Sequence, residues 1–300
     1  MKHVVPHGSY LVNLAHTDKA RTEQAYTSYL DDLKRCERLG IKLYNIHPGN
    51  NQCGNRQQAI AHLAKNINQA HEETSSVITL LENMAAGGNV LGSTFEDLRD
   101  IISQVTNKER IGVCIDTCHA FAGGYDLRTP DTFKATMDQF EEIVGFKYLR
   151  ALHINDSKAP FSSHRDLHAN IGTGFLGLRA FHNLVNEPRF RGLPLVLETP
   201  IEVRDENGVV EKDEKGKENE DKGIWAREIK MLESLVEMDV ESEEFLELER
   251  KLARQGEPER NRLEEQVERK KKEKEKKATK GKGKKGKKHE SSDEGSESED

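Results

Sequence analysis

Nine side chains of two chemical types are spaced along this sequence so that they could share metal ions. His7, His47, Glu82, Asp116, His153 and Glu198 each end a short β-rich run or follow it directly. His119 lies three residues beyond Asp116 in CIDTCHAF, and Asp166 and His168 alternate in SSHRDLHANIG. Imidazole nitrogen together with carboxylate oxygen suits zinc, whereas magnesium or calcium would favour a mainly oxygen cage; manganese or iron are the alternatives at one position. Nine ligands exceed one four-coordinate ion and fit a cluster of two or three, with a carboxylate such as Glu82 as the bridge. Clustered ions polarise a phosphate and bring a bound water towards a pKa of about 7, so the reaction class is phosphodiester hydrolysis. Taken singly, His7 or His47 also reads as a hydrogen-bonded structural histidine. Glu82, Asp116 and Glu198 at the ends of apolar runs need a partner to offset desolvation, and few basic residues flank them.

The elements that must position these groups alternate regularly. Apolar runs at 3–5, 41–46, 77–81, 111–115, 148–154 and 193–197 predict strands, and segments of helical period near 18–39, 56–73, 94–104, 131–144, 177–187 and 224–238 separate them. Six βα repeats with buried strands predict a parallel sheet. Ligands at the end of every strand would converge on one face, as in a (β/α) barrel, whereas an open doubly wound sheet gathers its site at one switch point. The expectation is therefore an α/β barrel of TIM type lacking the first two of its eight βα units. GTGFLG at 172–177 matches a dinucleotide-binding pattern, but it follows a polar loop and reads as a turn.

Composition bounds the domain organisation. The 300 residues carry 46 basic and 53 acidic side chains, a net charge of −7 that argues against indiscriminate coating of nucleic acid. Residues 241–300 hold 18 charges of each sign, which assigns 1–240 to a metal-binding barrel domain and 241–300 to a charged tail, disordered or helical. Within the domain, 203–223 is polar and aperiodic and reads as a surface insertion. Cys36, Cys53, Cys114 and Cys118 form no CxxC pair, so neither a disulfide framework nor a cysteine zinc knuckle is expected. No apolar run suits a signal peptide or membrane span, and the expectation is a soluble intracellular protein.

PHGSYLVNLA, NIHPGN, LLENMAAGGNVLG, GVCIDTCHAFAGGYDLRTP, FKYLRALHINDSK, RDLHANIGTGFLG and PLVLETP resemble, in order and spacing, the endonuclease IV family of apurinic/apyrimidinic endonucleases, in its fungal-like eukaryotic branch. The resemblance covers roughly residues 1–240. It implies a barrel with three zinc ions that cleaves DNA on the 5′ side of an abasic site and trims blocked 3′ ends in base excision repair. It further implies that His7 and His47 hold one zinc, bridged by Glu82. Asp116, His153 and Glu198 would hold the second, again with Glu82, and His119, Asp166 and His168 the third. Glu82, Asp116 and Glu198 would carry the catalysis. Tyr10 of PHGSY matches an aromatic that enters the DNA beside the flipped-out nucleotide; the structural alternative is a packing tyrosine. Extruding an abasic nucleotide costs less than extruding a normal one, because no base has to unstack. Divalent ions would reverse the acidic potential around the site. Family members carry two further βα units and a DNA-inserting loop ahead of PHGSY.

Two other readings compete. A metal-dependent sugar isomerase or epimerase on a similar barrel would use one or two ions, and it leaves the set His119, Asp166 and His168 without a role. A truncated, catalytically dead remnant would keep the ligands by descent. In the tail, 269–288 carries 13 basic and 2 acidic residues and resembles a nuclear import signal, while SSDEGSESED resembles an acidophilic phosphorylation site. The expected partners are double-stranded DNA with abasic sites or blocked 3′ ends and nuclear import factors, with no membrane. The expected protein is a monomer in the nucleus, also in the mitochondrion.

Overall fold

A computed structural model describes residues 3–10, 12–52, 54–205 and 208–285. Cys53, the end of the lysine block and the serine-rich terminus lie outside the described residues. The central sheet is parallel throughout, in the order β1 (Leu43–Ile46), β2 (Ile78–Glu82), β3 (Ile111–Asp116), β4 (Leu149–His153), β7 (Leu195–Val196). Helices α1 (Lys19–Leu39), α2 (Arg56–Glu72), α3 (Phe95–Gln104), α5 (Pro130–Ile143) and α6 (Leu178–Val185) occupy the connections. A short α4 (Thr117–Gly123) follows β3 directly, and α7 (Gly223–Ser234) follows the insertion. This is a TIM-barrel-like α/β fold with five parallel strands of an incomplete barrel.

Local sequence explains the helix ends. Asp18, Asn55, Thr94 and Thr129 each accept a backbone N–H of the first helical turn, and Thr129 with Thr132 forms a reciprocal capping pair ahead of Pro130. Gly40 ends α1 at φ 70°, a conformation open to glycine at little cost. Strand parity then sorts the side chains. Tyr44, Ile46, Leu81, Val113, Ile115 and Leu152 join the large core beneath the helices, whereas Leu43, Leu80, Cys114 and Ala151 form a small apolar layer on the opposite face. Glu82, Asp116 and His153 share the parity of Leu80, Cys114 and Ala151, so they rise above that layer at the C-terminal ends of their strands.

The run at 3–5 is not a strand. Val4 is exposed, and pairing is displaced to Pro6–Gly8, where Gly8 N–H donates to Asn45 O (2.8 Å) and Asn45 N–H donates to Pro6 O (2.9 Å). Pro6 has no N–H, so the contact reduces to one parallel bridge between His7 and Asn45. At the other edge, the run 193–197 shortens to the two-residue β7, which among the described residues pairs with β4 alone. A separate two-stranded ribbon, β5 (Asp156–Ser157) with β6 (His168–Ala169), closes over the site end of β4.

GTGFLG forms a turn around a buried carboxylate. Asp156 accepts the N–H groups of Ser157, Gly174 and Leu176 at 2.7, 2.9 and 3.0 Å, and a Cβ on Gly174 would collide with Asp156 and with the Ser157 carbonyl.

In the insertion, isolated bridges join Glu202 to Glu220, Arg204 to Val210 and Lys212 to Glu218. Residues Glu243–Lys285 form α8, whose beginning packs on the domain: Phe245 and Leu263 are buried, and Arg179 pairs with Glu249 at 2.9 Å. α8 crosses the GTGFLG turn at Gly256, where any Cβ would strike the Thr173 carbonyl. No helix among the described residues is long and apolar enough to cross a membrane.

Candidate metal centre

The site begins with Asp116, which ends β3 and caps α4 by accepting the N–H of His119 at 2.7 Å. That cap places His119 on the first helical turn, pointing back over the sheet. Its Nδ1–H donates to the Asn83 carbonyl at 2.9 Å, which turns Nε2 towards Asp166 Oδ2, 3.1 Å away. His168 is arranged in the same way. Its Nδ1–H donates to the Glu198 carbonyl (3.2 Å), and its Nε2 faces Asp166 Oδ1 at 3.1 Å and Asp116 Oδ2 at 3.8 Å. His119, Asp166 and His168 thus converge on one point.

Two further groups share Glu82. His7 Nε2 lies 2.9 Å and His47 Nε2 3.5 Å from Glu82 Oε2. On the other side, His153 Nδ1 faces Glu82 Oε1 at 3.3 Å, Glu198 Oε2 at 3.2 Å and Asp116 Oδ2 at 4.0 Å. All nine side chains lie at this one end of the sheet, in three groups whose ligand atoms stay within 4.8 Å of one another, and Cys118 approaches Asp116 and His168 in a fourth. Tyr10 stands at the rim, 76% exposed, its ring edge-on to His47 at 4.7 Å and parallel to His7 at 6.4 Å.

The donor set fits divalent ions. Glu82 Oε1, His119 Nε2, His153 Nδ1 and His168 Nε2 are buried atoms that make no directed hydrogen bond, although carboxylate or imidazole partners lie within reach. Ligands about 2.0–2.1 Å from a common tetrahedral ion sit about 3.3 Å apart, which is the spacing seen between these pairs. The electrostatics agree. Burial pushes the Glu82 carboxyl up, and the imidazoles of His153, His119 and His47 more than reverse it, holding the group well below the usual carboxylate range. Burial likewise disfavours charge on His119, yet Asp116, Asp166 and Glu82 hold its pKa well above normal, and Asp166 is depressed in turn by His119 and His168. Carboxylates in a dry site draw in positive charge, the condition a cation centre requires.

Three buried asparagines hold these carboxylates in place. Asn45 Nδ2 donates to Glu82 Oε2 (2.5 Å), and Asn83 exchanges hydrogen bonds with the Asp116 backbone (2.7 and 3.2 Å). Asn155 donates to Asp116 Oδ2 (2.6 Å) and accepts the Glu198 N–H (2.9 Å). Their sequence signal is adjacency to a ligand, in NIH, EN and HIN, a pattern that strand periodicity does not weigh.

Comparison with known proteins adds the lineage. A family model for xylose isomerase-like TIM barrels matches residues 2–235. Apurinic-apyrimidinic endonuclease 1 of Schizosaccharomyces pombe is 54% identical over 199 residues, 66% of this chain and 58% of that protein. Probable endonuclease 4 of Campylobacter curvus is 41% identical over 235 residues, 78% of this chain and 76% of that protein. The crystal structure of endonuclease IV from Thermus thermophilus superposes with a TM-score of 0.61 at 27% identity, covering 77% of this chain and 74% of that one. This chain spans about half the length of the eukaryotic relatives it matches. With the barrel, the clustered histidines and carboxylates and these relatives pointing the same way, the chain belongs to the endonuclease IV family of apurinic/apyrimidinic endonucleases.

Proposed function

We propose that this chain hydrolyses the DNA phosphodiester on the 5′ side of abasic sites and trims blocked 3′ ends, using zinc held by the nine side chains. The convergence of three ligand groups at one end of the sheet, two of them sharing the carboxylate of Glu82, carries this reading. His7, His47 and Glu82 would hold one ion, Glu82, Asp116, His153 and Glu198 the second, and His119, Asp166 and His168 the third. When bound, such ions polarise the phosphate and supply a water of lowered pKa as nucleophile. The protein's part is positioning. Asn45 fixes the Glu82 oxygen shared by His7 and His47, the Asp116 cap fixes His119, and the Glu198 carbonyl fixes the ring of His168. Tyr10 offers an exposed aromatic face at the rim, where it would fill the space beside an extruded nucleotide.

The partner in this reading is double-stranded DNA with abasic or 3′-blocked lesions. The working protein is a monomer, directed to the nucleus by import factors that read 269–288, with the mitochondrion as a second destination. The barrel of residues 1–240 is the catalytic domain, and the lysine block of the tail adds salt-sensitive attraction to DNA. A sugar isomerase gains support from the xylose isomerase-like fold alone, and the set His119, Asp166 and His168 exceeds what that chemistry requires. The deciding experiment incubates this chain with a duplex carrying one synthetic abasic site and counts bound metal on the same sample. Cleavage 5′ to the lesion with close to three zinc ions per chain is the expected result; a metal-loaded chain that leaves the duplex intact overturns the reading.

A further inference from the structure

Glu228 is a buried carboxylate on α7, 6% exposed, and it makes no ion pair with lysine or arginine among the described residues. Its hydrogen bonds run to two loops that each leave the metal centre. Thr199, the residue after Glu198, donates its hydroxyl to Glu228 Oε2. Ile171 N–H (2.8 Å) and Asn170 Nδ2 (3.2 Å), just beyond His168, donate to Oε1. Asn170 Nδ2 also donates to the Pro200 carbonyl at 2.9 Å, and the neighbouring Trp225 donates its Nε1–H to the Thr199 carbonyl at 2.9 Å. The same two loops meet inside the centre, where His168 Nδ1–H donates to the Glu198 carbonyl. Glu198 itself extends towards His153, while His168 closes the group with His119 and Asp166.

A carboxylate buried this deeply without a cation is costly, and its hydrogen bonds are what offset that cost. These bonds fix the separation of two chain segments, not of one segment and solvent. We infer that Glu228 is a positioning residue that ties the His168 loop to the Glu198 loop and so couples the two ligand groups they complete. This rests on the reading of those groups as metal sites. Its effect is selective, since the group of His7, His47 and Glu82 is held by β1, β2 and the Pro6–Gly8 segment, which Glu228 does not touch.

The role depends on hydrogen bonding rather than on charge. In Glu228→Gln the amide oxygen can still accept from Ile171 and Asn170, and the amide nitrogen can donate to the Thr199 hydroxyl, which then acts as acceptor. In Glu228→Ala both loops lose their common anchor. Thr199→Val removes only the Thr199 bond, with little change in side-chain volume.

The test is stepwise cobalt(II) titration of the wild-type chain and the three variants, followed by absorbance of the bound ion, with thermal melting of the metal-free proteins alongside. Supporting residues around metal ligands typically contribute about 10–100-fold in affinity. Glu228→Ala is expected to weaken the binding steps of the Glu198 and His168 groups by that range and to leave one step unchanged. Thr199→Val should show a smaller shift at the same steps, and Glu228→Gln should match wild type. Equal titrations for wild type, Glu228→Ala and Thr199→Val overturn the inference. So does a loss spread evenly over every step and tracking the fall in melting temperature, since that marks a general structural role. If Glu228→Ala does not fold, Thr199→Val against Glu228→Gln decides by the same criteria. A wild-type chain that binds no cobalt overturns the metal reading and this inference with it, an outcome distinct from wild-type loading with indifferent variants.

Discussion

Asp116 accepts the backbone N–H of His119 at 2.7 Å, so the carboxylate that ends β3 also starts α4 and aims a histidine back over the sheet. One side chain therefore does local and tertiary work together. Asp116→Asn keeps a good helix cap and removes the charge, and Asp116→Ala removes both. The expected outcome is that both variants lose metal and at least 100-fold in lesion cleavage, while the alanine also loses the helix cap, worth ~1 kcal/mol of stability. Metal content and urea unfolding measure the two effects separately. Full metal loading of Asp116→Asn would count against Asp116 as a ligand.

Metal removal should be visible as a loss of stability. Glu82 and Asp116 are fully buried beside Glu198, and a bound cation offsets their mutual repulsion. Ligand at 100 times its dissociation constant adds about 2.7 kcal/mol. Thermal melts with zinc and with a chelator should therefore differ by several degrees in the wild-type chain, and Glu82→Gln should shrink the gap. Superimposable wild-type melts would speak against a metal centre.

Tyr10 is exposed at the rim and meets the site through ring contacts with His7 and His47. Tyr10→Ala is expected to leave metal content unchanged and to raise KM for a lesion duplex about 10-fold, in line with ~1–3 kcal/mol for aromatic contacts to nucleic acid. A variant with lower metal content and unaltered KM would instead mark a packing residue.

His71, away from the site, sets an acid limit. It is 8% exposed, its Nε2 meets Thr79 Oγ1 at 3.0 Å, and the Arg110 guanidinium donates to its carbonyl. Burial, helped by Arg110, pushes its pKa down to about 4 from 6.5. A histidine depressed on folding contributes stability that is complete above pH 6.5 and is lost as pH falls through the folded value, here a span of about 3 kcal/mol. His71→Gln should flatten that part of the profile. Denaturant unfolding between pH 7 and pH 4 measures it, and a constant wild-type-to-variant difference across that window would sink the idea.

Asp156 holds the turn that precedes α6. Burial pushes its carboxyl up to about 6 against the pull of the surrounding backbone N–H groups, so it is charged at pH 7.5 and accepts three of them. Asp156→Asn would turn an amide NH₂ towards at least one N–H. The expected cost is ~1–3 kcal/mol in equilibrium unfolding at pH 7.5, and Gly174→Ala should cost more because its methyl has nowhere to go. Wild-type stability in both variants would contradict the caged-carboxylate account.

Much of this was legible along the chain because the information is local. A ligand-type side chain at the end of an apolar run stands out by position, and period-two burial brings Glu82, Asp116 and His153 to one face wherever parallel strands pack side by side. Helix starts near 18, 56 and 94 were readable for the same reason, since a cap acts within three residues, and the structure moves the start near 131 back to the cap at Thr129. The run at 3–5 misled because apolar composition marks a strand only when a neighbour offers pairing partners. Pro6 removes one donor, and pairing begins at the next residues instead.

What the sequence by itself determined is the inventory: alternating strands and helices, nine ligand-type side chains in order, and a turn where GTGFLG requires glycine. Only the tertiary structure decided how that inventory groups. Glu82 meets His7 and His47 on one side and His153 on the other, and Glu228 joins loops that are 29 and 57 residues distant in sequence. Asn45, Asn83 and Asn155 become supports only when neighbouring strands bring their amides to a carboxylate. Hydrogen bonds and ion contacts act over about 3 Å, and at that range the folded chain, not the linear one, defines which residues are neighbours.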